Sequence, residues 1–158
     1  MKIFTNVCSE DLQKSKEFYT ALLGLNVKYD SDWFVQLCSP VNSEIEYGNI
    51  QNSHNLVPKE YRQSPSGMYV TFVVSDVDTV YQKALYMKLP IIQEPRNEFY
   101  GQRRFLTKDP DGVLLDVCSP WKGNPGDAQR TSNTRKVGVE TFTVRMAHLA
   151  LGENKRRA

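Results

Sequence analysis

The sequence predicts an α+β fold: two βαβββ modules forming a curled mixed sheet around a central cavity. Three observations predict it. The order strand, helix, three strands occurs twice, and an offset of 65 places Asp11 on Asp76, Leu12 on Val77, Ser15 on Val80 and Phe4 on Tyr69. One such repeat is too small to bury both faces of its sheet, so the two copies are expected to pair. The stretch FLTKDPDGVLLDVCSP (105–120) is a hairpin, its strands joined by a Pro/Gly turn.

The elements follow in order. KIFTNVC alternates as a strand does, with Ile3, Thr5 and Val7 on one face and Phe4, Asn6 and Cys8 on the other. Ser9 offers an N-cap, with Glu10 and Asp11 in the first helical turn, where carboxylates suit the dipole. Leu12, Ser15, Tyr19, Leu22 and Leu23 share one helical face, and Gly24 is a stop. LNVKYD, WFVQLCS and EIEYGNI are short strands separated by polar turns. Residues 51–66, polar with two prolines, are a linker or loop.

The second module, about residues 67–120 against about 1–50 for the first, starts with the strand GMYVTFVV. Ser75 can cap a helix whose apolar stripe is Val77, Val80, Tyr81, Ala84 and Leu85. PIIQ is a short strand, PRNEFYG a loop, and the hairpin closes the module. In its last strand Val113, Leu115 and Val117 make an apolar face opposed by Leu114, Asp116 and Cys118. The apolar sets should pack under the helices and the mixed sets, with Asn6 and Asp116, should face the hollow.

Composition narrows the function classes. At 40% hydrophobic and 24% charged residues the chain is an ordinary globule, with no apolar run near the roughly 20 residues of a membrane span. The start becomes charged too early for a secretory signal, and three cysteines in no metal-like spacing are expected to be reduced thiols of a cytoplasmic protein. Residues 1–120 hold 12 Lys+Arg and 15 Asp+Glu (net −3); residues 121–158 hold 8 and 3 (net +5). An acidic body followed by a basic C-terminal extension does not suggest nucleic-acid binding by the body.

SEDLQKSKEFYTALLGLNV, VSDVDTVYQKAL and GQRRFLTKDPDGVLLDV together resemble the vicinal-oxygen-chelate superfamily of glyoxalase I, extradiol dioxygenases and bleomycin-resistance proteins, over about residues 1–120. The resemblance implies four metal-ligand positions, a His in the first strand and a carboxylate in the last strand of each module. Here those positions are Phe4, Glu46, Tyr69 and Asp116. Both histidines are replaced by aromatic rings. A catalytic Zn, Ni or Fe(II) centre needs imidazole as well as carboxylate, and the chain's two histidines, His54 and His148, match neither position. No metal and no cofactor are therefore expected.

The remaining candidates surround those four. Trp33 matches a place where bleomycin-resistance-like relatives set an aromatic ring against a flat ligand. Arg103 and Arg104 point to opposite faces of one strand, so at most one lines the hollow; Arg103 is carried as the candidate. Tyr100, with Phe99, forms a lip over the opening. Asp116 is equally readable as a wet surface charge or a partner of either arginine, and Phe4 and Tyr69 as cavity filling. The expected ligand-binding set is Phe4, Asn6, Trp33, Glu46, Tyr69, Tyr100, Arg103 and Asp116. Such an aromatic-walled pocket with carboxylates near its floor suits a flat aromatic or cationic small molecule. The alternative is a metal-dependent lyase or dioxygenase with an altered ligand set. A homodimer is expected, since relatives of this size often complete their cavities with a partner subunit and sheet edges need cover.

Overall fold

The computed structural model describes residues 2–121. The expected basic extension, beyond Trp121, lies outside the described residues. The elements are β1 (Thr5–Ser9), α1 (Leu12–Leu23), β2 (Asn26–Asp30), β3 (Phe34–Cys38), β4 (Glu46–Gln51), β5 (Tyr69–Val73), α2 (Val77–Tyr86), β6 (Ile91–Asn97), β7 (Gln102–Lys108) and β8 (Leu114–Pro120), with a 3-10 turn at Lys59–Tyr61. Each module forms its own four-stranded mixed sheet, in the order β1-β4-β3-β2 and β5-β8-β7-β6. The first strand of each is parallel to the last and the other pairings are antiparallel. The two βαβββ modules and curled mixed sheets are as the sequence predicts; the sheets do not close into a barrel.

Both helices start one or two residues later than expected. Ser9 belongs to β1, and the N-cap of α1 is Asp11, whose carboxylate accepts from the backbone N–H of Lys14. Asp76, not Ser75, caps α2 by accepting from the N–H groups of Asp78 and Thr79. An acceptor at the cap satisfies amides that the first turn leaves without partners, and aspartate does this as well as serine. Gly24 ends α1 in the left-handed conformation at φ 67°, with its N–H bonded to the Thr20 carbonyl.

One apolar core runs through both modules. It gathers Leu12, Phe18, Tyr19 and Leu22 of α1, Val77, Val80 and Ala84 of α2, and the helix-facing residues of both sheets, among them Val35, Leu37, Phe105, Leu115 and Val117. Leu85, expected in the α2 stripe, is instead exposed.

Polar contacts join the modules as well, all at the DPDG turn. The Tyr19 hydroxyl donates to Asp109 Oδ2 (2.7 Å) and receives a hydrogen bond from the Tyr47 hydroxyl (2.8 Å). Ser15 Oγ donates to Asp111 Oδ2 (2.7 Å) and the Glu10 N–H to Asp111 Oδ1 (3.0 Å). The other Asp109 oxygen accepts the N–H groups of Asp111 and Val113, which fixes the turn. The second module's hairpin is thus tied to the first module's helix.

Candidate functional site

With the helices on one side, each sheet presents its other face outward. On the second sheet that face carries Tyr69, Thr71 and Val73 of β5, Leu114, Asp116 and Cys118 of β8, and Arg104 and Leu106 of β7. On the first it carries Asn6 and Cys8 of β1, Glu46, Gly48 and Ile50 of β4, and Phe34 and Gln36 of β3. These are the mixed strand faces that alternation assigned to the hollow. They are open: Phe4 is 41% and Tyr69 59% exposed.

Asp116, like Cys118, is a buried residue on this face. It is 4% exposed. Its Oδ2 accepts from Thr71 Oγ1 (3.3 Å) and lies 3.5 Å from Arg104 Nη1. Its Oδ1 is shut away from solvent without a protein partner. Burial pushes the carboxyl above its ordinary range, a tendency that Arg104 and Thr71 oppose. Arg104 also donates to the Tyr100 hydroxyl (3.2 Å) and sits 3.5 Å from Glu98 Oε1. Tyr100 is thereby linked to Asp116 through Arg104.

The arginine of this face is Arg104 and not Arg103. Arg103 turns to the helix side, where its Nε donates to both oxygens of Asp78 (3.0 and 2.9 Å) and its Nη1 to Asn97 Oδ1. Asp78 stands in the first turn of α2, a place that favours an acidic residue, and the arginine follows it there.

Glu46 is not the counterpart of Asp116. Asn6 pairs with Gly48, whereas Thr71, 65 residues further on, pairs with Asp116, 68 residues beyond Gly48. By sheet register the equivalent of Asp116 is Gly48. Glu46, two residues earlier, is held by Lys2 Nζ (2.6 Å), Lys28 Nζ and the Gln36 amide. The Lys2 hydrogen bond, then that of Lys28, keeps its carboxyl below the ordinary carboxylate range. A Cβ at Gly48 would lie 2.2 Å from Asn6 Oδ1 and 3.0 Å from the Phe34 ring, so a side chain there would displace both. Asn6 and Phe34 lie over Gly48 on the first module's face.

Trp33 precedes β3 in a turn rather than standing in the strand. It stacks on His54 (centroids 4.7 Å, 19°) and on Phe34 (5.6 Å, 29°), pinning the linker to the sheet edge. A small polar pocket of about 90 Å³ at the seam of the modules is lined by Cys8, Glu10, Asn52, Gln63, Ser64, Pro110 and Asp111. It contains none of the eight expected residues and is smaller than the several hundred Å³ of a typical ligand cavity.

The donor chemistry does not fit a divalent metal. Two ammonium groups already hold Glu46, a guanidinium stands beside Asp116, and Phe4 has no donor atom. Among the described residues no three His, Cys, Asp or Glu side chains converge. The thiol of the second sheet's face, Cys118, is poorly nucleophilic: burial pushes it up to about 12, a tendency that the hydrogen bond from Gln102 Nε2 only partly opposes.

This two-module fold, with its helix-free faces, defines the class. The chain belongs to the Glyoxalase/Bleomycin resistance protein/Dioxygenase superfamily, whose family model matches residues 4–117. No protein of curated function matches it. Among solved structures it is similar to a member of the same superfamily from Sphaerobacter thermophilus (21% identity, 75% of this chain and 96% of that one, TM-score 0.63). It is also similar to a family enzyme from Burkholderia phytofirmans (18%, 74% and 96%, 0.63) and to a lactoylglutathione lyase from Agrobacterium tumefaciens (15%, 75% and 92%, 0.59). At such identities the likeness is one of fold.

Sequence reasoning missed Thr71, Gly48, Phe34 and Glu98. Thr71 was within reach, since it alternates with Tyr69 on the strand beside Asp116. Gly48 needed the strand register.

Proposed function

We propose that this protein is a metal-free small-molecule binder of the glyoxalase/bleomycin-resistance type, holding a flat aromatic or cationic compound against the second sheet's open face. The observation that carries this is Asp116: a buried carboxylate, one oxygen without a partner, beside an exposed aromatic ring and a threonine hydroxyl. A sealed, half-satisfied carboxylate is costly, and ligand sites are where such cost is tolerated. Tyr69 offers a ring for stacking, and Tyr100 borders the site through Arg104.

An open face excludes little water, so the proposal includes a symmetric homodimer in which a second copy supplies the missing wall. The site is placed in the domain of residues 1–120, in the cytoplasm. Among the described residues no helix is long and apolar enough to cross a membrane.

Thermal-shift screening of aromatic cations, neutral aromatics and small metabolites tests the proposal. At least one compound should raise the melting temperature, and Asp116→Ala should abolish that rise. A panel without hits, or hits indifferent to Asp116→Ala, would refute it. Metal analysis of purified protein addresses the alternative, a lyase or dioxygenase built on Glu46 and Asp116. Stoichiometric metal that survives dialysis, with turnover lost to a chelator, would establish that enzyme instead.

A further inference from the structure

Resting on the binding function just proposed, we infer that the guest of the second sheet is uncharged and presents a hydrogen-bond donor beside an acceptor, as an amide, lactam or urea edge does. Two independent features point there.

The first is charge. Around Asp116 the fixed charges cancel. Arg104 lies between Asp116 and Glu98, 3.5 Å from each, and Arg96 Nε donates to Glu98 Oε1 at 2.8 Å. Two carboxylates face two guanidinium groups. A cationic guest would meet a carboxylate that already has its cation and would lie beside Arg104, giving up its water for no net attraction.

The second is unmet hydrogen bonding. Asp116 Oδ1 accepts from nothing, and Gln93 Nε2 donates to nothing, though both are closed to solvent. Gln93 pairs with Leu106 across β6 and β7, and Leu106 pairs with Asp116 across β7 and β8. Cross-strand partners share a face, so Leu106 and Asp116 form one row, and Gln93, paired with Leu106 between two irregularities of the β6–β7 ladder, extends it. The outer two stand roughly 10 Å apart at the backbone, two strand spacings. A donor and an acceptor flank an apolar side chain. Once the side chains that cover the two atoms are displaced, an amide edge laid over Leu106 would give its carbonyl to Gln93 and its N–H to Asp116. Thr71 and Arg104 remain on the other Asp116 oxygen, so nothing already bonded need be broken.

Matched ligand pairs decide the question. Benzamide and 2-quinolone are compared with benzylammonium and N-methylquinolinium by thermal shift and calorimetry at pH 7, on the full chain, Asp116→Asn and Gln93→Leu. The neutral members should bind the natural protein, and bind it more tightly than the cations. Asp116→Asn, which keeps an acceptor oxygen, should leave amide binding little changed. Gln93→Leu should weaken it about tenfold, the share of one hydrogen bond. Tighter binding of the cations, lost in Asp116→Asn, would overturn the inference while leaving a binding protein. Amide affinity unaltered by Gln93→Leu would overturn it too, a bridging water then being what satisfies the row. If neither series binds the natural protein, the inference falls together with the binding function it rests on. The comparison of ligands on the natural protein needs no variant to fold, and melting of the free variants checks theirs.

Discussion

The first module meets Glu46 on its helix-free face with two lysines and a glutamine, and sets Asn6 and Phe34 over Gly48. The second module, of the same topology, meets Asp116 with one threonine and one shared arginine and leaves an oxygen free. Equal strand order has therefore produced one carboxylate fully paired by its own module and one that is not. Duplication supplies two similar frames; what each frame holds is decided by three or four side chains in register.

Four perturbations test this contrast. The contrast presumes two faces on one folded body, so the core residue shared by the modules should matter most. Tyr19→Ala removes a fully buried ring packed on Phe18, Tyr47 and Phe72, and should cost about 3–5 kcal/mol in a single urea transition. Two separate transitions would show modules that fold independently. Tyr19→Phe, which leaves Asp109 Oδ2 without its hydroxyl donor, should cost about 1–3 kcal/mol.

Next is the glycine at the middle of the first module's face. Gly48→Ala drives a methyl group into Asn6 and Phe34 and should destabilise by about 1–3 kcal/mol, partly recovered by adding Asn6→Ala. A neutral Gly48→Ala measured by chemical denaturation would mean the first face has spare room after all. In ligand binding, Asp116→Ala should weaken any guest by about tenfold or more, whereas Glu46→Gln should not register. Equal losses, measured by calorimetry, would put the guest across both modules.

The smallest effect is in pH dependence, where the two carboxylates should differ in sign. Burial raises Asp116 above its ordinary 3.8, so the folded chain holds that proton more tightly than the unfolded one. Its contribution to stability is complete at acid pH and lost as pH rises through the folded value. Glu46 is held below its ordinary 4.5 by Lys2 and Lys28, so its contribution is present at neutral pH and lost as pH falls through the folded value. Between about pH 3 and pH 6, the stability of the natural protein relative to Asp116→Asn should decline, and relative to Glu46→Gln should increase. Parallel slopes in urea titrations would show that the two acids sit in like environments.

Much of the frame was legible in the sequence because it depends on period and punctuation. Alternation separated the two faces of β1 and β8, and the repeat at offset 65 gave both helices and their strands. The site was only partly legible because it depends on register. Spacing placed Asp116 correctly on the helix-free face, but it put Glu46 where pairing puts Gly48, since the offset grows from 65 to 68 within the module. Alternation from Phe105, which faces the helices, puts Arg103 on the helix side and Arg104 on the other, and Asp78, 25 residues earlier in the chain than Arg103, pairs with Arg103 there.

The DPDG turn, held by Ser15 and Tyr19 of the opposite module, has a consequence for how the polypeptide can be divided. A cut in the linker between residues 52 and 66 would yield two fragments, each carrying one side of this clasp, and mixing them should restore the whole through Asp109 and Asp111. The tetrapeptide that stands out most readily in the sequence is thus a rivet between halves. It advertises assembly and is silent about cargo.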